Sequence, residues 1–402
     1  MLFLPSMATW LTAQEAAKRL GVSRPTLYAY VSRGLVHSTP APDHPHARRY
    51  AREDIERLCQ RAEQRRHPEK VMGRALHWGM PLLESSITLV AGNRLYYRGY
   101  DACELSHSRS IAEVASLIWL GSFEAHFSAG DHLIAASSRP DGRSFIARAQ
   151  STLSLVATRD RLAFDLRPRS VAHTGWRILH LLTSAAVESP NAANTVDETL
   201  RRHWAPRVPH AARLLRAALI VCADHELNVS SFTARCVASA GANPYMVVIA
   251  GLAATEGPKH GGITARIETM FNELRRARDL NRAIADRLRR GEPLYGFGHP
   301  LYEDGDPRAK LVLDLLQELH PKSHEVHMAG QIARAGAEIL NGEKPTIDFA
   351  LVALSQALKL PAGAPLTIFA LGRTIGWIGH AMEQYARDEM IRPRAKYVGV
   401  MP

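Results

Sequence analysis

Cysteine is scarce. The chain of 402 residues has four (Cys59, Cys103, Cys222 and Cys236), scattered and with no CxxC pair. That argues against a disulfide framework and points to structural or free thiols in a reducing cytoplasm. Long apolar runs are also missing. No uncharged run that is apolar throughout reaches the roughly 18 residues that a spanning helix needs, so no membrane partner is expected. The opening MLFLPSMATWLTAQE lacks the basic stretch and apolar core of a signal peptide. No Walker or GxGxxG phosphate loop stands out, and no internal repeat is apparent. Acidic residues are outnumbered, 39 against 50 Lys and Arg, for a net charge of +11. Residues 1–70 alone carry 12 Lys/Arg against 7 Asp/Glu, a net +5. Nearly half the excess therefore sits in about a sixth of the chain, which hints at an anionic partner for that segment.

The length suggests two or three domains, and a hydrophobic fraction of 46% is that of a soluble globular protein. Residues 11–35 read LTAQEAAKRLGVSRPTLYAYVSRGL. Thr12 is placed to cap a helix with Ala16, Ala17 and Leu20 on one face. Gly21-Val22-Ser23 makes a tight turn, Ser23 caps a second helix with Pro25 early in it, and Gly34 closes that helix. This is helix–turn–helix spacing. A polar, Pro-rich loop from His37 to Ala47 leads to Arg48-Arg49-Tyr50, a possible basic wing, and a third, charged helix is expected over 52–66. Residues 67–80 read as a linker.

The stretch ITLVAGNRLYYRGYD, just after Ser86, reads as strands with Asn93 at a hairpin turn. Beyond it the pattern is helical, at Ile111–Leu120, Arg213–Val221, Tyr245–Ala253, Leu311–Leu319 and Pro365–Ile378. Several of these helices are apolar around much of their circumference, as in the core of a large α protein. Residues 123–175 are less regular.

Three histidine stretches hold the chemistry: Ala223-Asp224-His225-Glu226-Leu227-Asn228, Glu256-Gly257-Pro258-Lys259-His260-Gly261-Gly262, and GEPLYGFGHPLYEDGDPRA from Gly291 to Ala309, with His299 and Arg308. Two of the histidines are bracketed by glycines, which let backbone approach a ligand closely. A helix starting after Gly261-Gly262 would offer free N–H groups to an anion. A lone histidine beside glycine is more often a loop residue; three within 75 residues point to a site. Asp348 lies in an apolar surround, as a helix N-cap or as a functional carboxylate. Arg373 falls inside an apolar helix, where its guanidinium needs a protein carboxylate or an anionic ligand. Arg392 and Arg394 belong either to a site or to a solvated basic tail. His320, His324 and His327 have loosely metal-like spacing but lack a partner set, so no metal is expected.

The ordered set DHELN, GPKHGG, GFGHPLYEDGDPRA, TIDF, GRTIGWIGHAMEQ and IRPR resembles the citrate synthase family, and RLYYRGYD is similar to that family's N-terminal hairpin. The resemblance covers about residues 75–402. It implies a mainly α fold, with a large domain (71–260 and 349–402) and a small domain (261–348), as a homodimer. It further implies that Asp348 is the carboxylate base, that His260 stabilises the enolate of an acyl-CoA, and that His299 polarises the carbonyl of oxaloacetate. Arg308 and Arg373, with His225, would clamp the acceptor's carboxylates, and Arg392 would reach in from the other subunit. Gly296, Phe297, Gly298 and Lys344 are candidates for the CoA side. Acyl-CoA would be a co-substrate, with no permanently bound cofactor. Three departures bear on the acyl donor: Pro300 where relatives often have Arg or Ala, Ile263-Thr264 in place of Ala-Asn, and Ala350-Leu351 in place of Tyr-Ser-Gly. Propionyl-CoA, giving 2-methylcitrate, is therefore an alternative to acetyl-CoA.

The N-terminal segment (1–70) resembles the winged helix–turn–helix modules of the MerR and excisionase families. On that resemblance Arg24, Thr26, Tyr28 and Tyr30 would face a major groove, and Arg33, Arg48 and Arg49 would meet phosphates. Such units also act as packing or dimerisation modules. Two functions remain open from the sequence: a synthase with an accessory module, or a DNA-binding regulator whose synthase body senses a metabolite.

Overall fold

The computed structural model describes residues 10–32, 35–41, 44–56, 58–59, 83–124, 127, 142–189, 195–395 and 397–401. The expected linker at 67–80, the distal part of the third helix, Gly34 and Arg33 lie outside the described residues. The chain divides into two compact units, Met1–Glu84 and Ser85–Pro402.

In the first unit, strand β1 (Trp10–Thr12) leads into α1 (Ala13–Leu20) and α2 (Arg24–Ser32), followed by β2 (Ser38–Ala41) and β3 (His44–Ala51). Thr12 caps α1 in a capping box with Glu15, an arrangement worth about 1 kcal/mol. Ser23 Oγ accepts from Thr26 N–H at the start of α2. The strands pair antiparallel in the order β1-β3-β2, with Leu11 opposite Tyr50 and Thr39 opposite Arg49. The stretch expected to be a loop is thus largely a hairpin. Its backbone groups pair across the sheet, so its prolines do not prevent strand formation at these positions. Residues 52–56 are helical. Leu11, Ala16, Leu27, Val36, Tyr50 and Ile55 form the small core.

The second unit begins with β4 (Thr88–Ala91), β5 (Arg94–Tyr97) and β6 (Tyr100–Asp101). Gly92 and Asn93 both have positive φ (57° and 58°) and close the two-residue turn between β4 and β5, a conformation for which Gly and Asn are suited. Helices follow: α3 (Ala102–Ser108), α4 (Ile111–Leu120), α5 (Phe145–Ala157), α6 (Pro168–Val187), α7 (Val196–Trp204), α8 (Ala211–Val221), α9 (Val229–Ser239), α10 (Pro244–Thr255), α11 (Ile263–Leu274), α12 (Leu280–Arg289), α13 (Pro307–Leu319), α14 (His324–Ile339), α15 (Ile347–Leu358) and α16 (Ala364–Arg387). The stretch expected to be irregular, 123–175, contains α5 and the start of α6. No described helix is long and apolar enough to cross a membrane.

Helix α16 is the axis of this unit. It is buried along most of its 24 residues and packs against α6, α8, α9 and α10. Its glycines set how closely they approach. A Cβ on Gly372 would lie 2.6 Å from the Leu219 carbonyl oxygen, and one on Gly376 would lie 2.4 Å from Asp224 Oδ1. The end of α8 therefore rests directly on the α16 backbone, which brings the turn after α8 beside Arg373.

Candidate functional site

That turn carries the first histidine. Asp224 is fully buried and accepts from Thr88 Oγ1 (2.6 Å), with His380 Nε2 at 3.2 Å and Ser231 Oγ at 3.4 Å. Burial works against its ionisation, yet His380 and Arg373 hold the carboxyl below its usual range. So anchored, the turn presents His225, whose Nε2 lies 2.9 Å from Tyr302 Oη. Burial and the cations Arg308 and Arg373 keep His225 well below an ordinary imidazole pKa. Its ring is 5.2 Å from that of His299.

His260 ends a tight turn between α10 and α11. The N–H groups of Gly262, Ile263 and Thr264 donate to the carbonyls of Thr255, His260 and Gly261. These amides are therefore not free to meet an anion, contrary to the expectation from the Gly-Gly sequence. The glycines serve close packing instead: a Cβ on Gly262 would lie 2.2 Å from the Glu256 carbonyl oxygen. His260 Nε2 is 2.9 Å from Ser230 Oγ, which also accepts from Trp377 Nε1 (3.1 Å) and lies 2.8 Å from Asn228 Oδ1. The hydroxyl has one proton for two acceptors, so its direction selects the tautomer of His260. Burial, with Arg373 nearby, lowers His260 to about 3.

The third histidine sits on a loop stitched to the chain before α15. Gly298 N–H donates to the Lys344 carbonyl (3.0 Å) and Thr346 N–H to the Gly296 carbonyl (2.8 Å). Phe297 packs edge-on against Phe349 at 5.3 Å. Gly296, Phe297 and Gly298 thus act as a bridge between two arms of the site. The Leu301 N–H donates to His299 Nδ1 (3.2 Å), so the neutral ring carries its proton on Nε2. Burial and Arg308 lower His299 to about 4. Near neutral pH all three imidazoles are therefore uncharged.

Two buried guanidiniums face different surroundings. Arg308 forms a fork on Asp306, Nε to Oδ1 at 2.9 Å and Nη2 to Oδ2 at 2.8 Å, and Asp306 also accepts the Ile347 N–H (2.9 Å). Burial opposes the charge, but Asp306 more than compensates and raises the Arg308 pKa. Arg373 has no such partner. Its Nε donates to the Cys222 carbonyl (2.8 Å), its Cζ stands 4.7 Å over the Phe369 ring, and no carboxylate among the described residues forms an ion pair with it. Burial lowers its pKa. Phe369 also meets the His260 ring at 5.3 Å, joining this side of the site to the other.

Asp348 is the second residue of α15, and the cap position belongs to Thr346. The carboxylate is half-buried; desolvation, opposed by Arg308 and Arg373, pushes it up to about 6. A carboxylate poised near neutrality beside neutral imidazoles and cations is equipped for proton transfer next to a developing negative charge.

Lys344 is exposed, and its Nζ donates to the Asp304 carbonyl (3.0 Å) at the rim of a cavity of about 440 Å³ lined by His299, Pro300, Glu303 and Glu343. Arg392 is exposed in the extended C-terminal segment. His324 and His327 lie at the start of α14, just after His320. In the first unit Arg24 and Tyr28 are exposed on α2, Thr26 is bonded to Ser23, and Arg48 Nε donates to Ser38 Oγ (3.0 Å) on the wing. Arg49 is half-buried on β3, and Tyr30 packs against the small core, which removes it from the face that carries Tyr28.

Tyr302, Asp306, Ser230 and Asp224 were not singled out from the sequence. Tyr302 and Asp306 lay inside the quoted His299 loop; an Asp-Pro-Arg at a helix start reads as a cap, and only the fold shows the same carboxylate forking Arg308.

The family profile described as citrate synthase, C-terminal domain, matches residues 71–394, and a helix-turn-helix domain profile matches residues 10–62. A putative citrate synthase 2 of Mycobacterium tuberculosis is 34% identical over 200 residues, 48% of this chain and 53% of that protein, so the match spans about half its length. Citrate synthase 2 of Bacillus subtilis is 26% identical over 352 residues, covering 80% of this chain and 94% of that one. The 2-methylcitrate synthase of Shewanella oneidensis is 26% identical, covering 78% and 91%. Among solved structures, a ternary complex of the Thermoplasma acidophilum citrate synthase with carboxymethyl coenzyme A and oxaloacetate shares the fold, with a TM-score of 0.67, 23% identity and coverage of 80% and 95%. With four-fifths of its length matched by the family profile, the chain belongs to the citrate synthase family.

Proposed function

We propose that this chain condenses a short acyl-CoA with oxaloacetate and hydrolyses the thioester formed, giving citrate or 2-methylcitrate and free CoA. The observation that carries this reading is Arg373, a buried guanidinium that forms no ion pair with a carboxylate among the described residues, near Arg308 and the neutral His225 and His260. A dianionic acceptor supplies the missing counter-charge. Arg308 keeps Nη1 outside its Asp306 fork, and His299 offers Nε2–H to the acceptor carbonyl.

Asp348 takes a proton from the carbon next to the thioester carbonyl. His260 stabilises the enolate as a neutral imidazole N–H donor, its ring held by the contact of Nε2 with Ser230 Oγ. The new carbon–carbon bond forms at the acceptor carbonyl carbon, and that oxygen gains a proton from the His299 side. Water then cleaves the carbon–sulfur bond, releasing a carboxylate and the thiol. None of these steps calls for a resident cofactor.

In this reading the body divides into 71–260 with 349–402 and a small domain, 261–348. Arg392 comes from a second subunit, and Lys344 with the 296–298 loop lies on the CoA side. Pro300 has no N–H to offer there, and Ala350 and Leu351, which follow Asp348-Phe349, are buried. These departures make the acyl chain length the point to measure. Thiol release from acetyl-, propionyl- and longer acyl-CoA with oxaloacetate tests the proposal; no release with any of them rejects it.

A second reading, DNA binding by the N-terminal unit, is favoured by the exposed Arg24 and Tyr28 on α2 and by Arg48 on the wing. Gel shift of genomic fragments at two salt concentrations should show a complex that weakens steeply with salt. Arg24→Ala with Arg48→Ala should abolish it without changing thiol release, whereas absence of any salt-dependent complex removes this reading.

A further inference from the structure

The hairpin β4–β5 touches both arms of the acceptor side. At its base, Thr88 Oγ1 donates to Asp224 (2.6 Å), the carboxylate that anchors the His225 turn. At its tip, the Asn93 side chain makes two bonds to the segment between His299 and Arg308. Asn93 Nδ2 donates to the Gly305 carbonyl (3.0 Å), and Asn93 Oδ1 accepts the Asp304 N–H (3.2 Å). These partners are more than 200 residues away in sequence, so no local turn explains the contact. The Asp304 carbonyl is held in addition by Lys344 Nζ (3.0 Å). Asp306, which follows Gly305, orients Arg308 and caps the chain entering α15 through the Ile347 N–H. A side-chain amide at a positive-φ turn, reading one N–H and one C=O of neighbouring residues, fixes the height and the rotation of that segment together.

We propose that Asn93 is a positioning residue for acceptor binding: its amide clamps residues 304–305 and so sets Asp306 and Arg308 opposite the His225 turn that the same hairpin holds at its base. The hairpin is a strut between the two arms, and Asn93 touches neither substrate nor reacting atoms. The kinetic consequence rests on the proposed synthase reaction; the structural one does not.

Two substitutions separate the clamp from the turn. Asn93→Gly keeps the φ of 58° without strain and removes only the side chain. Asn93→Asp keeps the acceptor oxygen for Asp304 N–H and loses the donor to Gly305. Amide hydrogen exchange at Asp304, measured on the full chain, should speed up about tenfold or more in Asn93→Gly and stay near wild type in Asn93→Asp. In steady-state turnover, Asn93→Gly should raise the KM for oxaloacetate about five- to tenfold, with kcat changed less than about twofold, and Asn93→Asp should fall between. Unchanged exchange at Asp304 in Asn93→Gly overturns the clamp. A fall in kcat at constant KM overturns its role in acceptor binding. If the wild type shows no turnover, the synthase reading fails, and the exchange result still decides the clamp.

Discussion

Asp348 is the residue whose environment is costly to the fold and useful to the chemistry. Its carboxyl is pushed up to about 6, above the ordinary value of 3.8. A carboxyl whose pKa is raised on folding disfavours the folded state once ionised. The penalty is absent below about pH 3.8, grows as pH rises through 6, and is full at pH 7. Asp348→Asn removes the charge and keeps the shape. It should therefore gain roughly 1–3 kcal/mol of stability at pH 7, a gain that disappears toward pH 4, while thiol release is lost. Denaturant unfolding at the two pH values checks this; a destabilised variant at pH 7 would mean that the carboxylate is held there for packing. The contrast with Asp306 is instructive. Both are acids at a helix start, but Asp306 is paired with Arg308 and held low, whereas Asp348 forms no ion pair among the described residues.

At the scale of elements, much could be read from sequence. Ile111–Leu120 begins and ends where its periodicity does, and the β4–β5 hairpin turns at Gly92-Asn93 as its residues demand. The helix expected at Pro365–Ile378 runs on to Arg387, because the polar residues after Ile378 still face neighbours: Gln384 is buried, and Glu383 pairs with Arg235. The histidine stretches were visible as a group because glycine and histidine recur in each. What the sequence could not convey is which atoms a glycine keeps clear. Gly261-Gly262 looked like an anion-binding helix start, and the fold uses it to let backbone pass backbone. Gly262→Ala should accordingly cost about 2–3 kcal/mol or more, since a Cβ there meets the Glu256 and Gly257 carbonyl oxygens at 2.2 and 2.9 Å. Gly257→Ala, whose nearest neighbour is 3.4 Å away, should stay within about 0.5 kcal/mol of wild type. Comparable unfolding midpoints for the two would contradict the close-approach explanation.

Across the whole molecule, two compact units carry different chemistry. The first offers exposed basic and aromatic side chains on a helix and a wing. The second gathers two buried guanidiniums, three neutral imidazoles and one half-buried carboxylate poised near neutrality in a single helical body built on α16. Within that group Arg308 is already paired with Asp306, and Arg373, which forms no ion pair among the described residues, is the member an anionic acceptor would satisfy. The most direct measurement is thiol release from an acyl-CoA series with and without oxaloacetate, followed against pH in the wild type and in Arg373→Ala. Release should depend strictly on oxaloacetate and fall about tenfold per pH unit below about 6, as Asp348 takes up its proton. Arg373→Ala should lower kcat/KM for oxaloacetate by at least about a hundredfold. Release that ignores oxaloacetate, or that survives loss of Arg373 unchanged, would contradict the assignment of this site.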